Sequence, residues 1–407
     1  MPRHLSLVHS AEPDPGPTWP VHQHPIVQGT GTRRRVVRLE TVRLESHPEL
    51  LFLRLVTRDG LVGLGEAYGT PREVDDYLHE VAAPILLGTP PSRFDQTAGR
   101  LFARQADGGT AATRRGASAV DLALWDLAAK TANQPLHELL GGACRDAIRV
   151  YSSLPLDWDR TGAPRAAVRL FELAEDLLDR RITAMKVEPF AYVEGSDISA
   201  PELKRALQPL HELRDVFGMQ MELMLEFHSR WDLRPAKRIA RAVEELDPLW
   251  LEEPINADDL GAIAAYARWA RVPMTLREPL RSRYAIKDLF DRRIAGIVMF
   301  SLGWSGGVSE AVRVAALAND YHLPLTLYGR AGPVLLTAAT HVAVSAPNAL
   351  IQETVQDYYT NWYQDVVTEL PHMDFGTIAP PTGPGIGTAL HPDLLEREGT
   401  TVRATSA

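Results

Sequence analysis

The chain has 407 residues, 45% of them hydrophobic, with a net charge of −9 and a pI near 5.8. Its length exceeds one ordinary domain and suits a barrel of about 250 residues joined to a smaller domain. The acidic balance argues against bulk binding to nucleic acid or an anionic membrane, yet leaves a small anionic substrate open, because a local cation outweighs a distant diffuse field.

Residues 1–33 are rich in Pro, His and Gly and show no period, so they are expected to form a flexible extension. His22 and His24 stand two apart there and read as part of a solvated loop. The opening stretch lacks the apolar core of a signal peptide, and no run of about 18 apolar residues follows. One cysteine, Cys144, rules out an internal disulfide, and together these features set the expectation of a cytoplasmic protein.

VVRLETVRLES and LLFLRLVTRDGLVGLGEAYG alternate in the manner of an antiparallel sheet, with a turn at RDG. Two helical stretches follow, EVDDYLHEVAAPILLG and ASAVDLALWDLAAKTANQPLHELLGG. In the second, Ala119, Leu122, Ala123, Asp126 and Leu127 recur at helical spacing, and Gly141 and Gly142 stop it. Residues 34–146 thus read as an α+β domain.

From residue 147 short apolar strands alternate with amphipathic helices: AIRVYSS, ITAMKVEP, ELMLEFH, PLWLEEP, PMTLRE, GIVMFS, PLTLYG and ALIQET. Eight such units over residues 147–378 predict a closed parallel α/β barrel, whose chemistry sits at the C-terminal strand ends. The polar residues Lys186, Glu226, His228, Glu252, Glu278, Ser301, Tyr328 and Glu353 all fall at those ends. Residues 379–407 are loop-rich and are expected to return to the first domain.

Glu226, Glu252 and Glu278 are the clearest signal, each following an apolar run, each 26 residues after the one before. Acids at one level of successive units converge in a closed barrel. Like charges that close require a cation, and a ring of hard oxygen donors favours Mg²⁺. Glu253, the second acid of WLEEP, has the opposite strand parity and reads as structural.

With GLVGLGEAYG, ASAVDLALWDLAAK, PLHELLGG, MKVEPF, LEFHSRWD, WLEEP, WSGGVSE and PPTGPGIG in this order, the chain resembles the enolase superfamily over roughly residues 36–400. Its nearest likeness is the mandelate racemase-like branch that includes acid-sugar dehydratases. The resemblance implies a modified TIM barrel, (β/α)7β, under an N-terminal α+β capping domain. It also implies Mg²⁺ on Glu226, Glu252 and Glu278, and a side-chain base that takes the proton α to a substrate carboxylate. Relatives often assemble as dimers to octamers, so a homo-oligomer is expected, with a small carboxylate as ligand and neither nucleic acid nor membrane as partner.

Lys186 matches the first lysine of the family's second-strand motif and is a candidate base; it is equally a candidate to neutralise Glu188 or hold the substrate carboxylate. Glu188 stands where many relatives carry a second lysine. His228 matches the acid-x-His motif whose histidine protonates a departing hydroxyl. Glu353 matches the strand-eight acid that hydrogen-bonds the substrate carboxylate, and Arg330 is a candidate anion contact. Strands six and seven depart from the pattern. The usual Asp–His dyad is replaced by Ser301 and Tyr328, so Tyr328 is either a substitute proton carrier oriented by Ser301, or filler after loss of the ancestral reaction.

Three functions follow from this set: a Mg²⁺-dependent hydro-lyase of the acid-sugar dehydratase kind, a racemase or epimerase, and a metal-bound scaffold without turnover. Substrate specificity is expected in the capping-domain loops around residues 68–75 and 103–116.

Overall fold

The first two strands, β1 (Val36–Leu44) and β2 (His47–Thr57), pair antiparallel, and β3 (Val62–Tyr68) pairs with β2 after the turn in which Gly60 takes φ +87°. The helix Ala111–Ala132 lies across this sheet. Gly63 and Gly65 of GLVGLGEAYG permit the contact: a Cβ on Gly65 would sit 2.2 Å from the Ala119 carbonyl oxygen. Thr110 caps the helix by accepting from Thr113 N at 3.3 Å, and Asn133 ends it at φ +53°. The computed structural model describes residues 34–90, 101, 109–153, 164–191, 193–256, 259–276, 283–329 and 331–407. The extension at 1–33, Glu278 and Arg330 lie outside the described residues.

Eight parallel strands form the larger sheet: β4 (Ile148–Ser153), β5 (Ala184–Val187), β6 (Glu222–Glu226), β7 (Trp250–Glu252), β8 (Met274–Thr275), β9 (Val298–Phe300), β10 (Leu325–Leu327) and β11 (Ala349–Thr354). They run in the order β8-β7-β6-β5-β4-β11-β10-β9. The seam between β8 and β9 is bridged by Gly296 N donating to Met274 O at 3.2 Å. Each strand lies within one of the eight segments that the sequence pattern marks, and the α/β barrel with an α+β cap is the observed architecture.

Side-chain alternation divides the barrel interior into layers. Tyr151, Ala184, Met224, Trp250, Met299 and Ile351 pack together as an apolar plug, with Tyr151 and Trp250 edge to face at 5.3 Å. Two residues further along the same six strands stand Ser153, Lys186, Glu226, Glu252, Ser301 and Glu353. The change from apolar to polar across a single step of the pleat makes the floor of the site.

After the barrel, β12 (His372–Asp374) and β13 (Thr377–Ala379) form a hairpin against the start of β4. The PPTGPGIG segment then docks on the capping helix. Asp126 there accepts from Leu64 N and Ile386 N, both at 2.8 Å, and pairs with Lys130 at 2.7 Å. Gly385 is required: a Cβ on it would lie 2.1 Å from Asp126 Oδ1. His341, buried beneath, faces the Ile386 carbonyl through Nε2 at 3.1 Å and His137 N through Nδ1 at 3.3 Å. Burial lowers its pKa to about 3. Finally β14 (Thr400–Ser406) pairs with β1 as the edge of the capping sheet. No helix among the described residues is long and apolar enough to cross a membrane.

Two capping-domain carboxylates clamp the domains together. Glu66, fully buried on β3, accepts from Val334 N at 2.9 Å and from Gly332 N at 2.5 Å, at the start of helix Pro333–Ser345. Burial raises this carboxyl to about 7, opposed by those backbone donors. Asp121 accepts from Ser309 N at 3.0 Å and Ser309 Oγ at 2.5 Å, at the start of helix Gly307–Asp320. Anionic side chains at helix N-termini satisfy amides that have no partner within the helix and complement its dipole.

Candidate active site

The register brings the polar layer together. Glu226 and Glu252 are direct neighbours across β6 and β7, and Ser153 lies beside Lys186 across β4 and β5. Lys186 Nζ stands 2.8 Å from Glu353 Oε1, 3.0 Å from Glu252 Oε2 and 4.0 Å from Glu226 Oε2. All four residues are at most 3% exposed. Glu353 also accepts from Gly329 N at 2.8 Å and from the Ser153 hydroxyl, so it is an integral part of this cluster. Trp250 Nε1 reaches Glu252 Oε2 at 3.4 Å.

Beyond Glu226 the chain leaves the strand. His228 (φ +57°), Ser229 (φ +53°) and Glu253 (φ +47°) are left-handed residues other than glycine, each costing roughly 1–2 kcal/mol. Arg230 holds the first bend by donating to the carbonyls of Phe190, at 2.8 Å, and Val193. Trp231 packs edge to face on Phe190 beneath it. The bend directs His228 N onto Glu226 Oε1 at 2.8 Å and sets His228 Nε2 3.0 Å from Glu188 Oε2. His228 Nδ1 lies 3.6 Å from Glu226 Oε1.

The left-handed turn also brings Glu253 close to this group. Strand parity placed it away from the site, but parity lapses where the strand ends. Ligand atoms of Glu226, His228 and Glu253 lie within 4.8 Å of one another. Glu252, from the sequence-derived set, lies beside this group and is occupied by Lys186. Around Lys186 and His228 the described carboxylates outnumber the ammonium, and their oxygens are hard donors, so the site suits a divalent cation.

A cavity of about 260 Å³ opens above the layer. Lys186, Glu188, Glu226, His228, Ser301, Tyr328 and Glu353 all line it. Tyr328 takes up position beyond β10, its N donating to Phe300 O at 3.1 Å. The sequence reading did not single out Ser153, though it stands two residues after Tyr151 and alternation marks it as inward. It assigned no role to Tyr68, Arg115 or Trp304, which also line the cavity. The first two fall within the stretches 68–75 and 103–116 where specificity was expected, but Tyr68 ends β3 and Arg115 lies on the helix Ala111–Ala132 rather than in loops.

The enolase C-terminal domain-like family matches residues 169–394, and the mandelate racemase/muconate lactonizing enzyme N-terminal domain matches residues 27–141. A D-galactonate dehydratase of Xanthomonas euvesicatoria pv. vesicatoria is 28% identical over 372 residues, covering 89% of this chain and 94% of its own. A D-gluconate dehydratase of Thermoproteus tenax is 28% identical over 85% of this chain and 69% of its own. Among solved structures, an enolase of the mandelate racemase subgroup from Agrobacterium tumefaciens superposes with TM-score 0.82 at 39% identity, covering 92% of this chain and 99% of that one. An enolase protein from Sargasso Sea environmental sequence gives 0.83 at 36%, with the same coverage. The chain therefore belongs to the mandelate racemase-like branch of the enolase superfamily.

Proposed function

We propose that this chain is a Mg²⁺-dependent hydro-lyase that removes the proton α to the carboxylate of a hydroxy acid of the acid-sugar class and expels the β-hydroxyl as water. The observation that carries the reading is one cavity lined by Lys186, the Glu188–His228 pair, Tyr328 and Glu353. The dehydratase names of two relatives at 28% identity support the reaction class. Glu226, Glu252 and Glu278 would hold the cation, with Glu253 as the alternative donor that the turn after β7 supplies. A cation there supplies positive charge where proton removal builds negative charge on the substrate carboxylate.

The side chains divide the remaining work. Glu353, in its protonated form, hydrogen-bonds the carboxylate end, and Lys186 joins it there where Tyr328 is the base. Lys186 or Tyr328 takes the α-proton. His228, hydrogen-bonded through Nε2 to Glu188, delivers a proton from its other nitrogen to the departing hydroxyl. The substrate loses one hydrogen and one hydroxyl, and water balances the step. A second reading, epimerisation, rests on Lys186 and Tyr328 lining the same cavity.

The test is incubation of the Mg²⁺-loaded protein in D₂O with a library of aldonic and related hydroxy acids, read by mass. Loss of one water supports the lyase. Deuterium exchange with inversion and no loss of water supports the epimerase. Neither outcome across the library would overturn both.

A further inference from the structure

We propose that Tyr363 is a positioning residue: through the Ala331 carbonyl it holds the wall of the cavity that carries Tyr328. This rests on the reading of the cavity as the seat of the reaction and adds a residue to it.

The chain after β10 reads YGRAGP, with Gly329 and Gly332 on either side of Ala331. Glycine loses more freedom on ordering than any other residue, so such a stretch does not hold its own shape. Its backbone is fixed from outside. Tyr328 N donates to Phe300 O at 3.1 Å, Gly329 N to Glu353 Oε2 at 2.8 Å, and Gly332 N to Glu66 Oε1 at 2.5 Å. Carboxylates can take amides only; a carbonyl needs a donor. Tyr363 is that donor, its hydroxyl reaching Ala331 O at 2.5 Å. Tyr328, Gly329 and Ala331 all line the cavity, so the bond acts on the wall itself.

Tyr363 is itself held firmly. It is 2% exposed, and its ring meets Trp362 edge to face at 4.6 Å and Tyr358 at 6.2 Å. Behind Trp362 stands His47 of the capping domain, with ring centroids 4.0 Å apart. Burial pushes the Tyr363 phenol well above its ordinary value, and the charges of Glu66 and Glu353 push it the same way. The hydroxyl therefore keeps its proton, and its role as donor, around neutral pH. Without it the Ala331 carbonyl would lose its partner, and the glycines would let the peptide turn toward another. Tyr328 would shift with the peptide, and a displacement of about 1 Å is enough to cost about a hundredfold in rate.

The experiment compares Tyr363→Phe with Tyr359→Phe. Tyr359 donates to Pro371 O at 2.7 Å, a bond of the same kind from a residue that is not among those lining the cavity. Both variants keep the ring, and both should melt within about 3 °C of the wild-type protein. Amide deuterium exchange of the segment 327–332, read by mass, should quicken about threefold or more in Tyr363→Phe alone. On whichever acid the library shows to react, Tyr363→Phe should lower kcat about tenfold to a hundredfold with KM within about threefold, and Tyr359→Phe should change neither. Wild-type exchange at 327–332 in Tyr363→Phe, or wild-type kcat on a reacting acid, would overturn the proposal. So would equal effects of the two variants. If no acid reacts with the wild-type protein, the reading of the reaction falls by itself, and the exchange comparison alone sustains or refutes the anchor.

Discussion

Glu188 and His228 face one another across the ends of β5 and β6, Oε2 to Nε2 at 3.0 Å. An acid and an imidazole at this distance form an orienting pair, since the carboxylate fixes which ring nitrogen carries the proton. The family's usual pair lies on strands six and seven, where this chain has Ser301 and Tyr328, so the shortest acid–imidazole contact lining the cavity among the described residues is Glu188–His228, with Glu226 3.6 Å from the other ring nitrogen. His228→Asn should lower kcat by about 10²–10⁴-fold while leaving α-deuterium exchange measurable. Glu188→Gln should produce a smaller loss and displace the pH–rate profile. Unchanged elimination in His228→Asn would remove the histidine from the reaction.

Lys186 and Tyr328 compete for the role of base, and two variants separate them. Tyr328→Phe removes one oxygen from the cavity wall and keeps the ring. If Tyr328 carries the proton, this variant should lose turnover and α-exchange together while its metal affinity stays at the wild-type value. Full activity would instead assign the step to Lys186, and Lys186→Met would then abolish exchange.

Metal affinity distinguishes Glu252 from Glu253. Glu252→Gln should lose metal and activity together, as measured by calorimetry and turnover. Glu253→Gln should retain activity if its carboxylate only neighbours the cation. Equal loss of affinity in both variants would mean that the turn after β7 contributes a ligand of its own, beyond the three acids at regular spacing.

Stability should respond to pH through two buried groups of opposite sign. Glu66 has its folded pKa raised from 4.5 to about 7, so its contribution falls as pH rises through that window. His341 has its pKa lowered from 6.5 to about 3, so its contribution is present above 6.5 and is lost as pH falls. Between pH 4.5 and 6.5 the two slopes oppose, and Asp126, raised by burial, acts in the same direction as Glu66. Glu66→Gln should therefore remove one falling contribution, so that stability rises with pH more steeply than in the wild-type protein between pH 4.5 and 6.5, by roughly 1 kcal/mol per pH unit. Denaturant titrations at several pH values check it; an unchanged slope would refute the assignment.

The barrel was legible because its strands are short apolar runs at regular intervals, and a two-residue period distinguishes plug from polar layer. Lys186, Glu226, Glu252 and Glu353 follow from that period alone. Glu253 did not, because the alternation rule ends with the strand and nothing in WLEEP announces a left-handed residue. Gly63 and Gly65 showed a motif but not its purpose, which is the approach of a helix backbone. Arg115 and Trp304 meet across the domain boundary, 189 residues apart in sequence, and no local pattern records such a meeting.

The two places where the family's dyad is missing are both followed by segments gripped from the other domain. The segment after Ser301 ends on Asp121, and the segment after Tyr328 ends on Glu66. Both segments are therefore tied to the capping domain by buried carboxylates. The spacing of Ser301 and Tyr328 across the cavity is thus referred to the capping sheet and helix as well as to the barrel. The backbone that carries each of these two positions is therefore held from outside the barrel, by a carboxylate that belongs to the cap.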